Sequence, residues 1–388
     1  MSLNKLTIEE AHRGLVKKDF SAVELTSACF EAIKKQDNDL NAFITLTEDK
    51  AFTQAEKVDN KIKNSHQNVS VLAGMPVALK DNILVEDVKC TAGSKVLESY
   101  VATYDATVVE KLKLEGSVIV GKTNMDEFAM GSSGETSNFG PTKNPIDKTK
   151  VPGGSSSGSA VAVASGEAFF ALGTDTGGSV RLPASFCGIV GFKPSYGSLS
   201  RHGIIAMASS FDQVGILSKT VKDSAFVFEA LAGDDKFDST TRKNKFDVLN
   251  NINNSIRGRK IGLPKEFFVE GMDPEVEKIV LNTATRLESL GAEIKEVSLP
   301  RTKYALAVYY ILVPAEVSSN MARFDGVRYG FRAEAENLLE TYLRTRKIGL
   351  GNEVRRRIML GTYVLSSGYY DAYYKKAQQV RRLIQEDY

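Results

Sequence analysis

The chain has 388 residues, and its 50 Lys and Arg nearly balance its 48 Asp and Glu, for a formal net charge of +2. This balance gives no electrostatic indication of nucleic-acid binding, although contact with RNA through a partner stays open. Length alone fits one large α/β domain or two to three smaller ones.

The cysteines Cys29, Cys90 and Cys187 are isolated, so neither a disulfide framework nor a metal site is predicted, and Cys187 is interpreted as a buried thiol. The N-terminus opens directly into an amphipathic pattern without an apolar leader segment, which argues against secretion. The most apolar stretch, residues 159–173, contains Glu167 and is too short to span a bilayer. We expect a cytoplasmic protein that does not contact a membrane.

Helical periodicity opens the chain, over residues 7–18 and 21–36. Ser21 is followed three positions later by Glu24, which is the pattern of a capping box. The next predicted elements are a strand over 42–46, a helix over 48–64 and a polar loop over 64–70.

Short apolar runs then alternate with helical segments, which is typical of an α/β fold with a mostly parallel or mixed sheet. The predicted strands cover 76–79, 118–120 and 169–172. The predicted helices cover 106–115 and 159–165, and a further helix can begin within 180–186.

The C-terminal third begins with a predicted helix over 221–232 and a polar surface segment over 234–255. Strands over 260–264 and 293–297 flank a predicted helix over 274–290. From Leu306 the chain is largely helical, and the pattern over 370–387 has no Gly or Pro to end it. We therefore expect a C-terminally truncated chain.

Two familiar motifs occur in unsuitable contexts. Residues 116–123 match the phosphate-binding pattern G-x-x-x-x-G-K-[ST], but residues 118–120 are themselves strand-like and Gly116 is better interpreted as the end of the preceding helix. The first Gly/Ser loop contains residues 154–158, which match the nucleophile elbow G-x-S-x-G centred on Ser156. A Ser-His-Asp triad is disfavoured because His202 is the one histidine that follows.

If a serine is nucleophilic and histidine is unavailable, lysine is the usual replacement as the base. Lys80 ends an apolar run, where burial would lower its pKa as this role requires. The alternative is a structural lysine that either extends its amine to solvent or forms an ion pair, for example with the adjacent Asp81. In the second Gly/Ser loop, residues 176–179, successive N–H groups could bind an oxyanion, and Asp175 and Arg181 are interpreted as a structural pair.

Lys80, the GSSSG segment 154–158 and the segment 173–183 together resemble the amidase signature family. The resemblance implies an α/β amidase signature fold, in which α-helices cover both faces of a central mixed β-sheet. It also implies a single amidase domain over residues 1–388, with a signature core over about 70–220 and a helical and α/β remainder over 221–388.

The same resemblance implies a Ser-Ser-Lys triad that hydrolyses amides. Ser179 is then the nucleophile, Lys80 the base, and Ser155 the bridging residue, which follows a cis peptide bond. The oxyanion would be bound by the N–H groups near Thr176, Gly177 and Gly178.

Four further segments, 124–131, 209–215, 323–330 and 366–374, are similar to the glutamine-hydrolysing subunits of tRNA-dependent amidotransferases. The similarity implies a heterotrimer in protein biosynthesis, with tRNA held mainly by a partner subunit that uses ATP and Mg²⁺, a third small subunit, and no cofactor in this chain. It also implies substrate contacts by Met130 and by Arg357, although Arg355 and Arg356 stand beside it.

Members of this group continue beyond the position of Tyr388, and the missing part includes an acidic residue that would meet the amine of glutamine. Two alternatives therefore stay open. One is a stand-alone amidase that acts on another small amide, and the other is a catalytically inactive scaffold.

Overall fold

The structure is a computed structural model that describes residues 2–64, 69–243 and 246–388. The described chain divides into two compact units, Met1–Leu249 with Ser319–Ile358, and Asn250–Ser318 with Met359–Tyr388. The prediction of one amidase domain stays a prediction. Of the predicted polar loop over 64–70, residues 65–68 lie outside the described residues.

Three helices and a strand open the first unit: α1 (Ile8–Lys17), α2 (Ala22–Leu40), β1 (Phe43–Leu46) and α3 (Glu48–Asn64). The predicted capping box is confirmed, because Ser21 accepts from Glu24 N–H while the Glu24 side chain accepts from Ser21 N–H. A second capping box is formed by Thr7 and Glu10 at the start of α1.

A six-stranded mixed sheet forms the centre of the first unit. Its remaining strands are β2 (Pro76–Lys80), β3 (Val118–Thr123), β4 (Phe170–Asp175), β5 (Val190–Phe192) and β6 (Gln213–Ser218). The strand order is β1-β3-β2-β4-β6-β5. The central strand β2 is parallel to both of its neighbours, whereas β1, β5 and β6 pair antiparallel.

Helices connect and cover these strands: α4 (Thr107–Glu115), α5 (Ser157–Ala164), α6 (Arg181–Phe186) and α7 (Val221–Leu231). Every residue of β2, β3, β4 and β6 is buried, so both faces of the sheet are covered at these strands, as predicted. Gly116 ends α4 with φ +80°, which confirms its interpretation as a helix terminator.

Two strands of this sheet, β5 and β6, have no counterpart among the elements that the sequence predicts. The predicted strand over 118–120 continues to Thr123, and the predicted helix over 159–165 begins earlier, at Ser157. That earlier start places the first Gly/Ser loop directly at the N-terminus of α5.

The rest of the first unit includes α11 (Leu338–Gly349) and the first half of α8 (Val248–Asn251). Helices α10 (Ala305–Met321) and α12 (Asn352–Leu365) each contribute residues to both units. The second unit contains β7 (Lys260–Pro264), α9 (Pro274–Ser289) and β8 (Glu293–Val297), with β7 parallel to β8.

The chain ends with a π-helix over Tyr370–Lys375, followed by α13 (Lys376–Asp387). Short 3₁₀ turns occur at Leu3–Lys5, Lys95–Leu97, Glu127–Ala129, Lys265–Phe267 and Thr302–Tyr304. Across the described ranges, every helix is too short or too polar to cross a membrane.

Candidate active site

Lys80 is the last residue of β2, the central strand, and its side chain is fully buried. Its Nζ lies 2.7 Å from Ser155 Oγ, 2.9 Å from Thr174 Oγ1 and 3.3 Å from the Thr174 carbonyl oxygen. Asn82 Nδ2 donates to the same Thr174 hydroxyl at 3.0 Å. The first Gly/Ser loop therefore meets the end of β4 around Lys80. Strand β4 leads directly into the second Gly/Ser loop.

Asp81 turns away from Lys80 and pairs with Lys122 of β3. Lys122 Nζ lies 3.0 Å from Asp81 Oδ1, and both side chains are fully buried. The other oxygen, Asp81 Oδ2, accepts from Thr91 N–H at 2.8 Å and from the Thr91 hydroxyl at 2.5 Å. The alternative of Lys80 paired with Asp81 is therefore wrong.

The same pair rules out the phosphate-loop interpretation. Lys122, which would be the phosphate-binding lysine, lies inside a buried strand rather than at the start of a helix. Burial alone would lower the pKa of Lys122, but the charge and the hydrogen bond of Asp81 hold it above its ordinary value.

Burial lowers the pKa of Lys80 from 10.5 to about 7, against the opposing charges of Asp126, Asp175 and Asp212. A large fraction of Lys80 is therefore neutral near pH 7. A neutral amine has two N–H donors and one lone pair. If the N–H groups donate to the two Thr174 oxygens, the lone pair points at the Ser155 hydroxyl, which is the direction that a base needs.

Ser155 is fixed in the first loop by contacts on both sides. The Gly154–Ser155 peptide bond is cis, as the family resemblance implies. The Ser155 carbonyl accepts from Asp126 N–H at 3.3 Å, and Gly154 N–H donates to the Ser132 carbonyl at 2.7 Å. A Cβ on Gly154 would lie 2.0 Å from Asp126 Oδ2, so this close approach requires glycine.

Ser156, the centre of the elbow motif, has a structural role. Its hydroxyl contacts the Thr174 carbonyl at 3.2 Å and accepts from Thr174 N–H at 3.3 Å. The side chain is fully buried. Ser156 therefore joins the first loop to β4 and does not face a substrate.

The second loop is held by Asp175, the last residue of β4. Its carboxylate accepts from Gly178 N–H at 2.7 Å and from Val180 N–H at 3.1 Å, and it forms a two-point contact with Arg181 at 3.0 Å. Burial acts to raise the pKa of Asp175, but the hydrogen bonds and charge of Arg181 outweigh it and the pKa is lowered. The predicted structural pair is confirmed.

Ser179 lies next to Ser156, the residue that follows Ser155, because its carbonyl accepts from Ser156 N–H at 3.1 Å. Ser179 is half-buried, and its hydroxyl forms no hydrogen bond with any residue that the structure describes. Gly178, with φ +118°, has its N–H committed to Asp175. Within the described chain, the N–H groups of Thr176, Gly177 and Ser179 have no acceptor, so these three can serve a substrate oxygen.

The two predicted substrate contacts lie on segments of the first unit that are far apart in the sequence. Met130 is fully buried, and its N–H donates to the Glu127 carbonyl at 2.9 Å. Arg357, in α12, is 7% exposed and its Nε lies 2.9 Å from Glu353 Oε1. Both roles stay predictions.

Three residues that support the site have no role predicted from the sequence. Asn82 and Thr174 surround the Lys80 amine. Asp212 accepts from the Thr176 hydroxyl at 2.6 Å and from Met207 N–H at 2.8 Å, and burial raises its pKa to about 6. All three lie within segments that the sequence singles out, but their contacts depend on strand pairing.

The remaining candidates for nucleophilic chemistry have structural environments. His202 stacks between Tyr104 and Phe237, at centroid distances of 5.2 and 4.6 Å, and its Nδ1 contacts the Thr107 hydroxyl. Cys187 is 3% exposed, which confirms the interpretation of a buried thiol, and burial raises the pKa of this thiol to about 12.

Comparison with known proteins gives the family. The amidase family model matches residues 24–388. The chain belongs to the amidase signature family. It is 53% identical to the A subunit of the glutamyl-tRNA(Gln) amidotransferase of Fusobacterium nucleatum over 389 residues, covering 100% of this chain and 80% of that protein. The equivalent protein of Carboxydothermus hydrogenoformans is also 53% identical, with the same coverage.

Solved structures agree on the α/β fold. The chain is similar to the crystal structure of the glutamyl-tRNA(Gln) amidotransferase A subunit from Thermotoga maritima, with 42% identity and a TM-score of 0.80 over 100% of this chain and 76% of that one. A peptide amidase from Stenotrophomonas maltophilia has 28% identity and a TM-score of 0.83, over 97% of this chain and 78% of that chain.

Proposed function

We propose that this chain hydrolyses a carboxamide through a Ser179–Ser155–Lys80 triad. The observation that carries the proposal is the buried contact of 2.7 Å between Lys80 Nζ and Ser155 Oγ, with the Lys80 pKa lowered to about 7. A neutral lysine can take a proton, and Ser155 lies between it and the loop that holds Ser179. Membership of the amidase signature family supports the same chemistry.

The reaction proceeds in two stages. Ser155 passes its hydroxyl proton to Lys80 and takes the proton of Ser179 Oγ, which attacks the amide carbon. The resulting oxyanion accepts from the N–H groups of Thr176, Gly177 and Ser179. The proton returns through Ser155 to the leaving nitrogen, so ammonia departs, and water then hydrolyses the acyl-Ser179 ester by the same relay.

We propose that the substrate is glutamine and that this chain is the glutaminase component of a tRNA-dependent amidotransferase. The names of the curated relatives support this assignment. Ammonia then passes to a partner subunit, which activates Glu-tRNA(Gln) with ATP and Mg²⁺, and a small third subunit completes a cytoplasmic heterotrimer. Met130 and Arg357 contact glutamine, with Arg357 binding its α-carboxylate.

The test is the release of glutamate and ammonia from glutamine, measured with the chain alone and in complex with the two partner subunits. We expect turnover that is lost in Lys80→Ala and in Ser179→Ala. A complex that amidates Glu-tRNA(Gln) from free ammonia but not from glutamine would contradict the proposal.

A stand-alone amidase is the second candidate, supported by the similarity to the solved peptide amidase. Simple aliphatic amides and C-terminal peptide amides discriminate between the two. Faster hydrolysis of these amides than of glutamine, without any effect of the partner subunits, would favour the second candidate.

A further inference from the structure

A buried carboxylate, Glu127, joins two segments that are far apart in the chain. Its Oε1 accepts from the Ser94 hydroxyl at 2.5 Å, and its Oε2 accepts from Gly351 N–H at 2.8 Å. The residue is 3% exposed. Glu127 and Gly351 are 224 positions apart, and Gly351 immediately precedes α12.

The approach of Gly351 to this carboxylate leaves no space for a side chain. A Cβ on Gly351 would lie 2.2 Å from Glu127 Oε2. The neighbouring Gly349 carbonyl also lies 3.4 Å from the Ser94 hydroxyl. The segment that connects α11 to α12 therefore contacts both Glu127 and Ser94 directly.

On its other side, Glu127 is connected to the triad. The preceding residue, Asp126, donates its N–H to the Ser155 carbonyl at 3.3 Å. The following residues, Phe128 and Ala129, have φ of +49° and +62°. Non-glycine residues adopt this left-handed conformation rarely, and it persists where the surrounding structure imposes it, often at functional sites.

Arg357 lies six positions after Gly351, within α12. A helix rises about 1.5 Å per residue, so the two are about 9 Å apart along a rigid element. Whatever fixes Gly351 therefore fixes the start of the helix that carries Arg357. Burial raises the pKa of Glu127 to about 7, whereas the hydrogen bonds from Ser94 and Gly351 favour its ionised form.

We propose that Glu127 is a positioning residue, whose carboxylate holds the start of α12, and with it Arg357, in register with Ser155. A substrate bound through its α-carboxylate to Arg357 is thereby placed with its amide at Ser179. This proposal rests on the proposed function. It assigns Glu127 no proton transfer, since both of its oxygens accept hydrogen bonds within the protein.

The test uses Glu127→Gln, which keeps the size of the side chain but replaces one acceptor oxygen with a donor. The KM for glutamine should rise about tenfold or more with little change in kcat, because Gly351 N–H and the Ser94 hydroxyl lose their charged acceptor. Hydrolysis of butyramide, which has no α-carboxylate, should be unchanged. Glu135→Gln, at an exposed position nearby, is the matched control and should behave as the unmodified chain.

A second measurement does not depend on activity. Hydrogen exchange of the peptide over 349–357 should accelerate in Glu127→Gln and, to a smaller extent, in Ser94→Ala, which serves if the first variant does not fold. Unchanged exchange, or an equal loss with glutamine and butyramide, overturns the positioning role. An unmodified chain that turns over butyramide but not glutamine contradicts the proposed function. In that case the hydrogen-exchange measurement still tests whether Glu127 holds the start of α12.

Discussion

Lys80 owes its lowered pKa to its buried position in the sheet. It stands at the end of a strand buried on both sides, and three buried or nearly buried aspartates surround it without forming a direct ion pair with it among the described residues. Thr174 supplies two acceptors on one side of the amine and leaves the third direction for Ser155. In the proposed triad, Lys80 takes the role that histidine has in other serine hydrolases.

The pKa of Lys80 determines the pH dependence of the proposed activity. Only the neutral amine can take a proton, so kcat/KM for glutamine should rise with pH through an apparent pKa of about 7 and then level off. Lys80→Ala should lose on the order of 10²–10⁴-fold in rate and lose this rise. A pH–rate profile that is flat across neutrality in the unmodified chain would contradict a lysine base.

At the scale of elements, the ion pair between Asp81 and Lys122 joins the end of β2 to β3 in the core. Removing one partner leaves an uncompensated buried charge, so Lys122→Met should lower the free energy of unfolding by about 3–5 kcal/mol, measured by chemical denaturation. The double variant Lys122→Met with Asp81→Leu should regain much of this loss.

The control is Lys148→Met, which removes a lysine from an exposed pair with Asp39. Exposed pairs contribute little, so its unfolding transition should be close to that of the unmodified chain. If Lys122→Met and Lys148→Met shift the transition equally, the buried pair has no special role.

The sequence predicts the elements with strong local patterns and misses those that depend on neighbours. The helix over 48–64 and the strands over 260–264 and 293–297 have the predicted bounds, because charge, periodicity and turn residues all agree locally. Strand β6 is not predicted from the sequence because its apolar run is short and contains Gly215. Antiparallel pairing with β4 gives this run its structure.

The residues of the site also divide into those that a local sequence pattern identifies and those that depend on contacts with distant segments. The family resemblance identifies Lys80, Ser155 and Ser179 as candidates, since the family pattern is contained in short segments. The sequence alone cannot show whether Asp81 pairs with Lys80. The answer depends on Lys122 of the neighbouring strand, which pairs with Asp81 instead. The contact between Glu127 and Gly351 spans 224 positions and has no local sequence signal.

At the scale of the whole molecule, the near-neutral charge agrees with the proposed division of labour. Fifty basic and 48 acidic residues leave an excess of only two positive charges for the phosphates of tRNA. The isolated chain should therefore bind tRNA(Gln) no more tightly than an unrelated tRNA in fluorescence anisotropy. Tight binding that is specific for tRNA(Gln), without the partner subunits, would contradict the assignment of tRNA to the partner.

The central claim is that Ser179, and not Ser156, is the nucleophile and that Lys80 activates it through Ser155. The most direct test is covalent labelling with a serine-reactive fluorophosphonate, followed by intact mass measurement and peptide mapping. We predict a single adduct on Ser179, which is absent in Ser179→Ala, retained in Ser156→Ala and strongly slowed in Lys80→Ala. An adduct on Ser156, or one that persists in Ser179→Ala, would contradict this account.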